Sequence, residues 1–320
     1  MTANFSSTFI AIIALLSGLV LLIAGGECLI SGAAKLAVRF GMSPLLIGLT
    51  VVAFGTSMPE LFVSINATLG GHSDIMLGNV VGSNIANIGL VLAISAILYP
   101  LTVHFHRLQK EFVLLIAASF ILPATAISGG FPRSFGVVFT ASLIVYTAYS
   151  YRSENKQKAQ ARSGYIVAKA SHPALGRIMF LCSVGLVFMW FGSEYFIDGA
   201  VDLARFFGFS ELVIGLTLAA VGTSLPELAS SLSAIRRKES DLLVGNILGS
   251  NLFNLLLVLG ITGAIKPFGF PPGSLERDFP VMIAFSVILI PICLRGEISR
   301  FHGLALLGGY CSYIFALGCG

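Results

Sequence analysis

Apolar runs of about 20 residues, the length of helix that crosses the hydrocarbon of a bilayer, follow one another along almost the whole of this chain. Of 320 residues, 56% are hydrophobic and only 11% charged, against roughly 25% charged in soluble domains. A chain with so little charge is a polytopic integral membrane protein. The first run, around Phe9–Ala24, has no basic residue before it and no small-residue cleavage site after it, so it reads as a retained helix and not a signal peptide. The net charge of +4 does not point to nucleic acid, because in a membrane protein the placement of charge matters more than its sum. Cys28, Cys182, Cys293, Cys311 and Cys319 are scattered and lack CxxC spacing. They predict buried structural thiols, with neither a disulfide framework nor a metal site.

Within this apolar background the chain is written twice. "GLTVVAFGTSMPELFVSINA", Gly48 to Ala67, returns as "GLTLAAVGTSLPELASSLSA", Gly215 to Ala234, with 12 of 20 positions identical. Glu27 and Glu194, Glu60 and Glu227, and Asn87 and Asn254 each stand 167 positions apart, so the register holds without a gap from about Gly25 to Ile94. A duplication accounts for this. Hydropathy gives expected helices at 8–38, 43–69, 74–99, 110–128 and 132–150, then at 173–205, 210–235, 241–265, 278–294 and 300–318. Five per copy is odd, so the second copy enters the membrane in the opposite sense, the plan of many secondary transporters. The expected fold is an all-α polytopic membrane protein with about ten transmembrane helices as two inverted five-helix repeats. Residues 1–150 form the first repeat, 151–172 a cytoplasmic basic linker, and 173–320 the second.

Charge placement tests that topology. With the hydrophilic loop Tyr151–Lys169 in the cytoplasm, only Arg133, Arg205, Lys266 and Arg277 of the 19 lysines and arginines fall outside, a strong positive-inside bias. Equivalent loops differ as inverted copies should: "LGGHSD" (Leu69–Asp74) has no Lys or Arg, and "RRKESD" (Arg236–Asp241) has three. The chain is therefore expected in the cell (inner) membrane with both termini outside. The linker reads as a simple join, with contact to anionic lipid as the alternative.

A carboxylate near the middle of a membrane helix costs roughly 2.5–3.5 kcal/mol on insertion scales. Glu60 and Glu227 lie well inside apolar segments, and no Lys or Arg falls at comparable depth. Protonation or a bound cation is left to offset the cost. Pro59 and Pro226 precede these glutamates and oppose the residues four back, Gly55 and Gly222. Each helix is thus expected to break near Ala53–Ser57 and Ala220–Ser224, freeing carbonyl oxygens beside Thr and Ser hydroxyls. Broken helices meeting near the midplane are how transporters build ion sites; a merely kinked packing helix would explain the Gly and Pro but not the Glu.

The following helices carry "GNVVGSNIANIGLVL" (Gly78–Leu92) and "GNILGSNLFNLLLVL" (Gly245–Leu259). Gly78/Gly82 and Gly245/Gly249 permit close helix approach. Ser83 and Asn87, like Ser250 and Asn254, share a helix face, whereas Asn79 and Asn246 either bind an ion or crosslink helices. Every candidate ligand is an oxygen, which suits Ca²⁺ and Na⁺ and argues against zinc or copper. Two carboxylates match one divalent charge. His72, His104, His106, His172 and His302 lie in loops or at helix ends; His104-x-His106 reads as a solvated pair, with a weak metal or pH site as the alternative. Glu27 and Glu194 either line an ion path or pair with polar groups at helix ends.

At its two GTS-x-PE stretches, each followed by GS-N-x-x-N, the chain resembles the sodium/calcium exchangers of the cation/calcium exchanger superfamily, most closely the small bacterial-type members that lack a long regulatory loop. The resemblance implies that Glu60 and Glu227 are the chief Ca²⁺ ligands, alternating with Na⁺. It implies that the Ala53 and Ala220 carbonyls, Thr56, Ser57, Thr223, Ser224, Ser83 and Ser250 complete the subsites, with Asn87 and Asn254 beside the central position. Potassium-dependent members carry Asp where this chain has Asn254, and proton-coupled relatives usually show a GN-x-x-E motif.

The expected function is sodium/calcium antiport by alternating access, in which the first helix of each repeat slides across a fixed core. A proton-coupled cation exchanger and a passive channel are the alternatives. An enzyme is not expected, since the chain has no HExxH, no GxSxG and no membrane-embedded histidine. Neither a cofactor nor an obligate protein partner is expected; the transported ions are Ca²⁺ and Na⁺.

Overall fold

The computed structural model describes residues 5–161, 174–207, 222–270 and 274–319. In order they form α1 (Phe5–Phe40), α2 (Pro44–Thr56), α3 (Met58–Leu69), α4 (Ser73–Leu98), α5 (Phe105–Ala124) and α6 (Arg133–Ala161). Next come α7 (Leu175–Phe206), α8 (Leu225–Arg236), α9 (Ser240–Ile265), α10 (Ser274–Leu294) and α11 (Arg300–Cys319). Among the described residues seven helices are long and apolar enough to cross a membrane, or eight with the bent pair α2–α3 taken as one span. The expected boundaries hold to within a few residues at most ends. At α6, however, the helix continues past 150 to Ala161 and takes in the first part of the linker. Of the helix expected at 210–235, residues 210–221 lie outside the described residues, Ala220 among them.

Two helices form the centre. The most apolar stretch of α9 is 94% buried and that of α4 is 78%, while no other span exceeds 39%. Glycine lets this centre pack tightly: a Cβ on Gly245 would lie 2.5 Å from the Leu45 carbonyl oxygen, and one on Gly249 2.8 Å from that of Leu49. The two backbones of α2 and α9 therefore touch where the small residues predict close approach.

Outside this centre, α1 and α7 pack on each other through a second set of glycines. Gly18 and Gly25 of α1 meet Gly192 and Gly185 of α7, and Gly199 meets Ala11. Rising numbers on one helix meet falling numbers on the other, so the pair is antiparallel. Gly18 and Gly185, Gly25 and Gly192, and Gly32 and Gly199 are each 167 apart. The lipid-facing sides carry exposed Phe9, Ile10, Val20, Phe180 and Val187.

Two short β pairings tie the copies together. β1 (Leu101–Thr102) runs antiparallel to β2 (Glu297–Ile298), with Leu101 opposite Ile298. Phe131 bridges Phe268, its N–H donating to the Phe268 carbonyl at 2.7 Å. Shifting Leu101 forward and Ile298 back by 167 gives Phe268 and Phe131, so the offset converts one pairing into the other. Gly129 and Gly296, also 167 apart, enter these pairings with φ of +89° and +79°, a region in which only glycine is unstrained. Of the cysteines, Cys182 and Cys293 are buried as expected, Cys28 is half-buried and Cys311 is exposed.

Candidate functional site

Pro59 has no N–H to continue the helix before it, and α2 meets α3 at a 44° bend. The interruption is narrower than Ala53–Ser57. Ala53–Thr56 stays helical, and the Ala53 carbonyl is not freed: it accepts the Ser57 N–H at 3.0 Å and the Thr56 hydroxyl at 3.4 Å. The bend comes after this turn, so the turn keeps its hydrogen bond from the Ser57 N–H to Ala53. Ser57 takes φ −84° and ψ 4°; its counterpart Ser224, ahead of Pro226, takes φ −88° and ψ 4°.

The break places Glu60 and Glu227 in the first turns of α3 and α8, where free backbone N–H groups and the helix dipole favour negative charge. Both side chains are fully buried. All four carboxylate oxygens lack a hydrogen-bond partner among the described residues. Thr56, Ser57, Ser83 and Ser250 are buried along with them. The Ser57 and Ser224 hydroxyls are also buried without a partner among the described residues.

Contacts across the copies gather the rest of the set. Thr56 meets Ser250, oxygen to oxygen, at 3.3 Å, and Ser83 meets Thr223 at 3.2 Å; the offset of 167 turns either contact into the other. The Asn87 amide donates to Asn251 at 3.1 Å, whereas both amide atoms of Asn254 are buried and have no partner among the described residues. Asn87 begins a π-helical turn (Asn87–Leu92), and Asn254 lies in another (Phe253–Val258), a distortion frequent at functional sites. Ten of the twelve expected residues are buried, Thr223 is half-buried, and Ala220 lies outside the described residues.

Asn79 and Asn246 are crosslinks. Asn79 donates to the Ser64 hydroxyl at 2.9 Å and the Glu60 carbonyl at 3.2 Å, and Asn246 to the Ser230 hydroxyl at 3.0 Å. Sequence reasoning misses Asn84 and Asn251, which are buried beside the site; the repeated "GSN" in both copies is the signal that could have found them. Glu27 resolves towards pairing at a helix end, since Arg237 reaches it at 2.8 Å and Arg236 at 3.8 Å. Glu194 is exposed. His104 is in contact with Asp241 at 3.3 Å, on the surface.

Neither Glu60 nor Glu227 has an ion pair among the described residues, and no three His, Cys, Asp or Glu side chains there cluster as metal ligands. What remains is two desolvated carboxylates among neutral oxygens, an environment suited to hard cations. A cation-handling integral membrane protein is the class these features define.

Comparison with known proteins places it more closely. The sequence profile of the family described as sodium/calcium exchanger protein matches residues 10–152 and 178–318. The sodium/calcium exchanger MaX1 of Methanosarcina acetivorans is 30% identical, over 95% of this chain and 97% of its own. The putative antiporter CaxA of Alkalimonas amylolytica is 36% identical, over 96% and 98%. Inner membrane protein YrbG of Escherichia coli is 35% identical, over 95% of each. Among solved structures, the sodium-calcium exchanger NCX_Mj superimposes with a TM-score of 0.83 at 31% identity, covering 96% of this chain and 98% of that one. The chain belongs to the sodium/calcium exchanger family, and its function is sodium/calcium antiport.

Proposed function

We propose that Glu60 and Glu227 are the principal Ca²⁺ ligands of one central site. The observation that carries this is the pair of fully buried carboxylates whose four oxygens have no protein partner among the described residues. Leaving charge in that state is expensive unless a cation neutralises it. Thr56, Ser57, Thr223, Ser224, Ser83 and Ser250 supply hydroxyl oxygens, Ala53 and Ala220 supply carbonyls, and Asn87 and Asn254 flank the centre. Na⁺ occupies the same oxygens in alternation with Ca²⁺, so one ion leaves as the other binds. To take this role the Ala53 carbonyl would give up its long contact to the Thr56 hydroxyl, 3.4 Å, and keep its bond to the Ser57 N–H.

The same reading takes the chain as ten membrane helices in two inverted repeats, 1–150 and 173–320, joined by the 151–172 linker in the cytoplasm with both termini outside. Support comes from the reciprocal β pairings, the exchanged Thr56–Ser250 and Ser83–Thr223 contacts, and the antiparallel packing of the equivalent helices α1 and α7. α1 and α7, each 28% buried over its span, slide as one element across the α4–α9 core and open the site to each side in turn.

Proteoliposomes test the reading. ⁴⁵Ca²⁺ uptake is measured against imposed Na⁺, K⁺ and H⁺ gradients, and an outward Na⁺ gradient alone is expected to drive it. Uptake driven by H⁺ and indifferent to Na⁺ would transfer the site to proton coupling; uptake without any gradient coupling would make it a channel.

A further inference from the structure

α10 and α11 do not close on each other along their length. Between them lies a cavity of about 540 Å³, walled by Phe285, Ile288, Ala305 and Leu306 and bordered by Arg295 and His302. Ile288 and Phe301, both on its lining, are 46% and 76% exposed, so the groove opens onto the surface that faces lipid. Arg295 caps the C-terminus of α10 and His302 stands in the first turn of α11. Both therefore border the loop end of the groove, and Phe285 lies about 15 Å of helix rise deeper.

The chemistry of the mouth is that of an anion site. Among the described residues Arg295 has no ion-pair partner, and the acidic residue of the loop, Glu297, belongs to β2 and does not line the groove. His302 accepts the Ser299 N–H on Nδ1 at 3.1 Å, which leaves Nε2 as the protonated nitrogen and a donor. β1 joins this loop to the segment that leads into Arg107, which is itself paired with Asp241 at 3.6 Å.

The first copy serves as an internal control. The positions equivalent to Arg295, His302 and Leu306 are Ser128, Phe135 and Phe139. Phe135 and Phe139 pack edge-on against Phe131, at centroid distances of 6.2 and 5.3 Å. At these positions the basic mouth therefore belongs to the second copy alone.

We infer that the α10–α11 groove binds an anionic phospholipid, with one acyl chain between Phe285 and Leu306 and the phosphate against Arg295 and His302. An acyl chain matches an apolar trough at bilayer depth, and a phosphodiester matches a guanidinium beside an imidazole N–H. The inference depends on the membrane setting of the chain and not on which ions it exchanges.

Native mass spectrometry of the full chain in detergent tests it, with dioleoyl phosphatidylglycerol and dioleoyl phosphatidylcholine as probes. Wild type is expected to retain one phosphatidylglycerol preferentially. Arg295→Gln should weaken that lipid roughly fivefold, the effect of one basic residue at an anionic headgroup, and leave phosphatidylcholine unchanged. Ala305→Phe fills the trough with Arg295 in place and should weaken both lipids. Equal retention of the two lipids by wild type overturns the inference, as does an Arg295→Gln protein that still prefers phosphatidylglycerol. Circular dichroism of each variant establishes that it is folded, and both substitutions are at exposed positions.

Discussion

Ser57 and Ser224 adopt nearly the same backbone angles, and Glu60 and Glu227 behind them are equally buried. Glu27 and Glu194, equally spaced by the same offset, part company: one is held by Arg236 and Arg237, and the other is exposed. The two copies agree at the buried carboxylates and diverge towards the surface. Burial explains the difference. A carboxylate at bilayer depth tolerates few arrangements, so both copies keep the same break, the same proline and the same first-turn position. A residue near water has many nearly equivalent solutions, and each copy has found its own.

The sharpest way to break the comparison is to remove one carboxylate from each copy. Glu60→Gln and Glu227→Gln are each expected to lower ⁴⁵Ca²⁺ uptake in proteoliposomes by about 100-fold or more, because losing one charged partner of a buried ionic centre costs about 3–5 kcal/mol. The two losses should be alike, since neither carboxylate alone balances a divalent ion. Near-normal uptake in either variant would remove the central assignment.

That equivalence is legible in the sequence, because proline and glutamate recur in identical letters inside apolar runs. The later part of each copy is harder to read. Lys110–Glu111–Phe112 and Arg277–Asp278–Phe279 are 167 apart, as are Tyr146 and Tyr313, but across the charged pairs the sign is kept and the residue type is not. In space the likeness is plain: the Tyr146 hydroxyl donates to Glu111 at 2.6 Å and the Tyr313 hydroxyl to Asp278 at 3.1 Å. The π-helical turns at Asn87 and Phe253 are equally hidden, since one extra residue in a turn leaves an apolar run looking the same. The heptad spacing of Gly18, Gly25 and Gly32 is visible in the letters, yet only the partner helix shows what the glycines meet.

Within the proposed site the copies differ at their asparagines, and a second experiment sharpens this. Asn87→Ala would leave the buried Asn251 carbonyl oxygen without its donor, a loss of about 1–3 kcal/mol. Asn254→Ala abandons no protein partner among the described residues and should cost less. Thermal unfolding in detergent without Ca²⁺ is expected to show the larger fall in Tm for Asn87→Ala. Equal falls would mean that the Asn87–Asn251 bond does not distinguish the copies.

The smallest effect is expected at the surface, where the copies differ most. Arg237 binds Glu27 through Nε at 3.2 Å and Nη2 at 2.8 Å, a good geometry, yet the two side chains are 39% and 31% exposed. Pairs so open to water contribute about 0–1 kcal/mol, and salt screens them. Arg237→Gln should therefore lower Tm slightly in dilute buffer and hardly at all in concentrated choline chloride, a salt chosen to leave Na⁺ and Ca²⁺ out of the measurement. Glu194→Gln, with no such partner among the described residues, should be silent in both. A drop for Arg237→Gln that is large and independent of salt would show that this contact supports packing between α1 and α8, where a Cβ on Gly26 would already lie 2.7 Å from the Ala229 carbonyl oxygen. The asymmetry between the copies would then reach from the surface into the helix interface.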